Sequence, residues 1–416
     1  MQLKELNWKN IFCENVTKNS YLCNKICFYS FIRDSIEKRL EIVYSQSKKD
    51  KRFMKKIFRI IMVILNIFAA VALILSCLCC FISPETIWWI GFFGLGFLHL
   101  LTANLCFLVF WIFSKRKKLV VISLVPILIG WPFVGRNIQL SDRKIPAKEI
   151  DSSIKVLSFN VQGFEQRNTV QSDGKKLNLF DFLREEDAGI ICMQEFGPNQ
   201  WKKDDLKEEN IREQLNTTPF YHSEVTREHF GVATFSRYPI VHKEVVYSDN
   251  TTNTCICSDL LIGNDTVRVY NVHLKSIGFH HDEKHLLNNV VKKEYGKSDV
   301  RVAKSIIRQI SVSSFKRARQ VEILSSHIVQ SPYPVIICGD FNDPPTSHSY
   351  QQVRGNRKDA FVKAGSGRSA TFHIGHIASL RIDFILYTDV FEAYDYESPR
   401  VVLSDHFPVM CRLVKK

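Results

Sequence analysis

Hydrophobic and polar residues follow two different rhythms along this chain, and the change falls near residue 136. Before it, three long apolar runs occupy about 60–82, 87–113 and 119–135. None has a polar face, which sets them apart from the amphipathic helices of a soluble core. A helix rises about 1.5 Å per residue, so the first two runs can cross about 30 Å of hydrocarbon. Trp88, Trp89 and Trp111 fall near the ends of the second run, where aromatic rings favour the membrane interface. The third run is shorter and contains Pro126 and Gly130. The pattern predicts three transmembrane helices within residues 54–136. Residues 1–53 are polar and basic, with a short amphipathic stretch at 34–43. Met54 opens a basic flank ahead of the first run and reads as a real or alternative start, with 1–53 an extension.

After a polar linker at 137–152, short apolar runs of β type alternate with amphipathic segments. Strands are predicted at 154–160, 189–194, 231–235, 255–261, 266–273, 334–338, 382–387 and 408–413. Helices are predicted at about 177–186, 205–215 and 302–330. In the last, Ile307, Ile310, Ala318, Val321, Leu324 and Ile328 form an apolar stripe, with Lys316, Arg317 and Arg319 mostly off it. Residues 276–300 are polar and read as a loop insertion whose His280, His281 and His285 are solvated. The whole stretch 153–416 reads as one mixed α/β domain.

Charge alters the picture in one respect. The chain carries a net +14, which invites a nucleic-acid partner. Residues 1–150 hold 22 Lys and Arg against 9 Asp and Glu, whereas 151–416 hold 34 against 33. The excess therefore belongs to the membrane part, where Lys and Arg set orientation. Basic clusters at 48–56 and 114–118 place the N-terminus and the second loop in the cytoplasm. Three crossings then put 153–416 outside the cytoplasmic membrane, in the periplasm or its equivalent; if the third run fails to cross, the domain is cytoplasmic. Of twelve cysteines, four lie in apolar runs and three in the first thirty residues. Cys192, Cys338 and Cys411 read as buried strand residues, and Cys255 and Cys257 share a strand face. Neither a disulfide framework, a disulfide-linked partner nor a zinc site is expected.

The chemistry sits at strand ends. Val335–Cys338 is an apolar run, and after Gly339 come Asp340, Asn342 and Asp343. If the extended path continues, Asp340 and Asn342 face the same way, a carboxylate to orient water and an amide to hold a phosphate oxygen. The alternative is an Asx turn closing the strand; Asp343, ahead of two prolines, reads as structural. Glu195 follows the run Ile190–Met193, and Asn160 and His273 each end an apolar run. Asp405 and His406 set a hard oxygen donor beside an imidazole, and Asp383 is available to orient that imidazole.

Ser158–Asn160, Met193–Glu195, Asn271–His273, Gly339–Asn342, Arg381–Asp383 and Ser404–His406, in this order, resemble the endonuclease/exonuclease/phosphatase superfamily, the DNase I-like proteins. That group includes nucleases, abasic-site endonucleases, neutral sphingomyelinases and inositol polyphosphate 5-phosphatases. An apolar anchor ahead of such a domain is similar to membrane-bound members in Bacteroidetes-type bacteria. The resemblance implies an α+β fold, a four-layer α/β/β/α sandwich, over about 153–414. It implies Mg2+, with Mn2+ as a substitute, held by Glu195 with Asp405 and Asn160 near it. It implies that His406, paired with Asp383, and Asp340 are catalytic, and that Asn342 and His273 bind phosphate. Gln162 stands where several nucleases carry a basic residue.

The expected activity is hydrolysis of a phosphoester, on a lipid headgroup or a small molecule, by in-line attack of water. Two alternatives compete with it. One is a tethered nuclease on extracytoplasmic nucleic acid, which the near-neutral domain charge does not favour. The other is a non-catalytic module that binds phosphorylated ligands.

Overall fold

The computed structural model describes residues 20–170, 176–198, 204–226, 229–248, 253–277, 299–374 and 378–416. The expectations for residues 1–19 and for His280, His281 and His285 lie outside the described residues. The chain forms two compact units, Met1–Ile67 and Phe68–Lys416.

In the first unit the described residues belong to one helix, Ser20–Leu78, that runs on into the second. The separate amphipathic helix expected at 34–43 is part of this continuous one. Among the described residues, two helical segments are long and apolar enough to cross a membrane, Ser30–Leu78 and Lys117–Val134. The second apolar run differs from expectation. It is split at Gly96 into Gly91–Leu95 and Phe97–Ile112. Sixteen residues make a rod of about 24 Å at 1.5 Å per residue. In the second unit, Leu73, Cys77, Phe97, Leu101, Ile127 and Phe133 pack into one apolar cluster between these helices. Asn104 Nδ2 donates to the Ala69 carbonyl across it, at 2.9 Å.

The strands, in chain order, are β1 (Ile154–Asn160), β2 (Asn168–Val170), β3 (Lys176–Asn178) and β4 (Ile190–Phe196). Then come β5 (Phe220–Val225), β6 (Gly231–Ser236), β7 (Ile240–Ser248), β8 (Thr254–Ile262) and β9 (Asp265–His273). Beyond the long helix Asp299–Val329 lie β10 (Val335–Asp340), β11 (Lys358–Asp359), β12 (Phe372–Ile374) and β13 (Ala378–Leu380). The last are β14 (Asp383–Tyr387), β15 (Phe391–Glu397) and β16 (Val409–Lys415). Two six-stranded sheets result, ordered β15-β16-β1-β4-β6-β5 and β11-β14-β10-β9-β8-β7. Each sheet has one parallel pair, β1 with β4 and β9 with β10.

Alternation along the strands builds the layers. Val156, Ile190 and Cys192 of the first sheet meet Val269, Ile336, Cys338 and Ile385 of the second in a shared core. Cys338 and Cys411 belong to this core with Cys192, as expected. Leu157, Phe159, Ile191 and Met193 face outward onto the helix Leu179–Glu186. Tyr270, Val272 and Ile337 face the opposite way, onto Val321, Leu324 and Ile328 of the long helix. The four layers are therefore helix, sheet, sheet, helix.

Two expectations for the long helix change. Ile307 is exposed, and Arg317 is buried rather than off the apolar face. Arg317 donates to the Lys275 carbonyl at 2.7 Å and pairs with Asp343 at 3.0 Å, which accounts for its burial. The stretch 137–152 is also not a loose tether. Gln139 and Gly367 form a two-residue bridge, Arg143 pairs with Glu392, and the Ile145 amide donates to Asp395.

Candidate active site

Inner-face residues change character along each strand. On β9 they run from Val267 and Val269 through Asn271 to His273; on β1, from Val156 through Ser158 to Asn160. The apolar end makes the core, the middle makes a polar seam between the sheets, and the far end makes the site. In the seam Gln194 Nε2 donates to Asn271 Oδ1 at 2.8 Å. Asn271 Nδ2 donates in turn to the carbonyls of Met193 and Ala233, at 3.1 and 2.9 Å. All these groups are buried, so the bonds satisfy polar atoms that would be costly unpaired. From sequence, Gln194 and Asn271 stand out only as parts of motifs. Their inward parity within apolar strands is the signal that marks them.

Register assembles the second sheet's share. Asp340 pairs with His273 on one side and with Asp383 on the other. Gly339 makes this approach fit: it has φ 148°, and a Cβ there would lie 1.9 Å from the Val272 carbonyl oxygen. Asp340 Oδ2 is the hub. It lies 3.1 Å from Asn160 Nδ2, 3.2 Å from Asn342 Nδ2, and 3.7 Å from Nε2 of both His273 and His406. His406 Nδ1 is 2.9 Å from Asp383 Oδ2. Asp383 Oδ1 is buried and has no hydrogen-bond partner among the described residues.

Two side chains reach the site only through left-handed backbone. Met193 faces the outer helix layer, so strict alternation would send Glu195 there as well. A bulge between Gln194 and Phe196, with Glu195 at φ 51°, re-aims it. Glu195 Oε1 then lies 3.2 Å from Asn160 Nδ2 and 3.7 Å from His273 Nε2. Asn342 also has φ 51°, so the extended path expected after Gly339 does not continue. The Asn342 amide donates to Asp340 Oδ1 at 2.8 Å. The Asx turn and the functional cluster are thus the same feature, and its Nδ2 also donates to the Leu274 carbonyl.

Seven of the eight expected site residues are joined by these contacts. The eighth, Asp405, is held beside them: its amide donates to Gln162 Oε1 at 3.3 Å, and Ser404 Oγ donates to its carboxylate. Gln162 therefore has a positioning task. Arg381, within one of the motifs, points elsewhere. It is buried against Asp359, at 2.5 and 3.2 Å, and lies over the rings of Phe384 and Phe361. Asp343 accepts from Ser349 and pairs with Arg317, the structural task expected of it.

Electrostatics follow from burial among acids. Burial raises Asp340 to about 6, against the pull of the His406 charge. For His406 burial opposes the charged form, but the carboxylates of Asp383 and Asp340 outweigh it and raise the group to about 10. Glu195 keeps its side chain 28% exposed beside partners that are buried. With Asn160 and Asp405 it offers only oxygen ligands, a set that fits a hard divalent cation such as Mg2+. A different cluster, Glu244, Cys257 and His327, brings its donor atoms within 4.8 Å of one another. There His327 pairs with Glu244 at 3.3 Å and meets the Tyr270 hydroxyl at 2.9 Å, tying the long helix to its sheet.

Comparison with known protein families agrees with this geometry. No functionally curated protein matches the chain. Among solved structures, it is similar to an endonuclease/exonuclease/phosphatase from Beutenbergia cavernae, at 17% identity and TM-score 0.42, over 64% of this chain and 72% of that one. It is similar to one from Bacteroides vulgatus at 21% identity and TM-score 0.39, over 64% and 99%. It is also similar to a mannosyl-6-phosphatase of Bacteroides thetaiotaomicron at 22% and TM-score 0.39, over 63% and 100%. At these identities and TM-scores the likeness assigns nothing to this chain. Residues 55–137 match a domain of unknown function. Residues 157–406, more than half of the chain, match the Endonuclease/Exonuclease/phosphatase family, and the chain belongs to that family.

Proposed function

We propose that the protein is a membrane-attached, Mg2+-dependent phosphoesterase that hydrolyses a phosphodiester or phosphomonoester by in-line attack of water. The observation that carries this reading is the hub at Asp340, whose Oδ2 lies within 3.7 Å of two imidazoles and two carboxamides. Phosphoryl transfer asks for positioned water and donors aimed at phosphoryl oxygens, and little covalent chemistry.

The roles follow from the atoms. Asp340, raised toward neutrality, takes a proton from the attacking water as the water oxygen bonds to phosphorus. Asn342 and Asn160 hold that carboxylate. His273 and His406 donate from Nε2 to phosphoryl oxygens, and Asp383 fixes the His406 ring through Nδ1. The ester P–O bond then breaks, and the leaving oxygen takes a proton from solvent. Family enzymes typically use a divalent ion. Glu195, with Asp405 and Asn160, would hold Mg2+, or Mn2+ in its place. When bound, the ion neutralises charge on the phosphoryl and leaving oxygens.

Membrane attachment is supported by two helical segments apolar and long enough to cross, and by bare apolar side chains such as Phe68, Leu128 and Trp131 on the helices. With the basic clusters at 48–56 and 114–118 on the cytoplasmic side, an extracytoplasmic domain requires the split second run, Gly91–Leu95 and Phe97–Ile112, to cross as well. A screen of the detergent-purified protein against bis(4-nitrophenyl) phosphate, phospholipids, inositol phosphates and plasmid DNA tests the reading. Hydrolysis of a phosphoester that Mg2+ restores after EDTA is the expected result. Turnover of DNA alone would favour a nuclease, and turnover of nothing would leave a phospholigand-binding module.

A further inference from the structure

The loop that follows the catalytic strand is held by the apolar helices. Thr346 is buried; its Oγ1 donates to the Gly94 carbonyl at 2.8 Å, and Cys79 Sγ donates to the Thr346 carbonyl at 2.6 Å. Arg136 Nη1 donates to the Pro345 carbonyl at 3.2 Å. A Cβ at Gly94 would lie 2.6 Å from Cys79 Sγ and 3.2 Å from the Thr346 oxygen, so this glycine permits the approach. A further link joins Glu85 to Arg319 on the long helix, at 2.9 Å.

Cys79, Gly94 and Arg136 share a topological position. Cys79 follows the end of one apolar helix at Leu78, Gly94 precedes the helix starting at Phe97, and Arg136 follows the end at Val134. Trp88, Trp89 and Trp131 lie near the same ends and are 50%, 41% and 67% exposed. Exposed Trp at the end of an apolar helix marks the depth of the membrane interface. Thr346 is the fourth residue after Asn342, a span of at most about 14 Å. The headgroup layer adds roughly 5–8 Å beyond the hydrocarbon.

We infer that the site acts on a phosphoester carried by a lipid of the bilayer in which the protein sits, with the docked helix ends setting its height at the headgroups. This rests on the phosphoesterase reading above and narrows it. A merely flexible tether would set no height. A lipid phosphate needs no extraction to reach a site so close to the interface, whereas a soluble substrate gains nothing from the docking.

The test uses the full chain in nanodiscs of mixed phosphatidylcholine, phosphatidylglycerol and phosphatidate, with bis(4-nitrophenyl) phosphate as the soluble probe. Wild type should release headgroup or phosphate from the lipids of its own disc. Thr346→Val removes the hydroxyl that meets Gly94, and Gly94→Leu forces the loop away. Each should slow lipid turnover, up to about 10²-fold for Gly94→Leu, since a misplacement near 1 Å can cost that much. The soluble probe should be cleaved at the wild-type rate, which also reports that the domain is folded. Wild type that cleaves the probe but no lipid would overturn this inference and leave the phosphoesterase reading standing, as would variants that slow both substrates equally. Cleavage of neither substrate by wild type would defeat both.

Discussion

His406 and Asp383 share a 2.9 Å hydrogen bond between Nδ1 and Oδ2, with both side chains buried. The bond fixes which imidazole nitrogen faces Asp340. Burial opposes charge on His406, yet Asp383 and Asp340 raise it to about 10 from 6.5. A histidine raised on folding contributes stability that is complete below about 6.5 and is lost as pH rises through about 10. In EDTA, Tm should therefore fall between these values. Asp383→Asn should flatten that slope and pull in the alkaline limb of the activity profile. A variant with the wild-type slope would show that the pair is not charged.

Asp340 has the same sign at a lower pH. Its folded value, about 6, lies above the usual 3.8, so its contribution is complete below about 3.8 and lost as pH rises through about 6. A cation held close by at Glu195 favours the ionised form of Asp340 and offsets that loss. The rise in Tm on adding Mg2+ should be small at pH 5 and larger at pH 7. An equal rise at both would place the ion away from these acids.

Glu195→Gln keeps shape and removes the charge of the proposed ligand. The Mg2+ concentration for half-maximal activity should rise by about 10–100-fold, the scale on which metal sites respond to lost partners. Rate at saturating Mg2+ should fall less than affinity does. An unchanged Mg2+ requirement would remove Glu195 from the metal.

Gly339 tests the assembly of the site rather than its chemistry. Its positive φ and the 1.9 Å approach to Val272 leave no room for a methyl group. Gly339→Ala should cost about 3 kcal/mol or more through strain and clash, seen as a lowered Tm. Asn271→Ala strips partners from Gln194, Met193 and Ala233. It should cost about 1–3 kcal/mol by leaving buried groups unsatisfied, while activity of the folded fraction stays close to wild type.

The strands that carry the site are legible in the sequence because each is an apolar run with a polar end, and that gradient is the physical design. The eight predicted strands are all present, within a few residues. Strands β5, β7 and β15 carry no such signal. Phe220–Val225 and Ile240–Ser248 are sheet edges with partly exposed faces, and Phe391–Glu397 mixes acids with aromatics, so none shows a clean apolar run. The site residues are legible as types at strand ends. Their means of arrival is not: nothing local announces that Glu195 turns inward through a bulge, or that Asn342 closes an Asx turn onto Asp340. Arg317 and Arg381 look like free cations in the sequence because their partners, Asp343 and Asp359, lie 26 and 22 residues away. Uniform hydrophobicity hides the break at Gly96 in the second apolar run.

The most direct measurement compares Mg2+-dependent hydrolysis of bis(4-nitrophenyl) phosphate by wild type and by Asp340→Ala, His406→Ala and Glu195→Ala, each checked for folding by circular dichroism. Loss of about 10²–10⁴-fold in the first two is expected for groups that move or meet protons at the phosphate, and loss in the third should track the metal. Wild-type activity in all three folded variants would contradict the account.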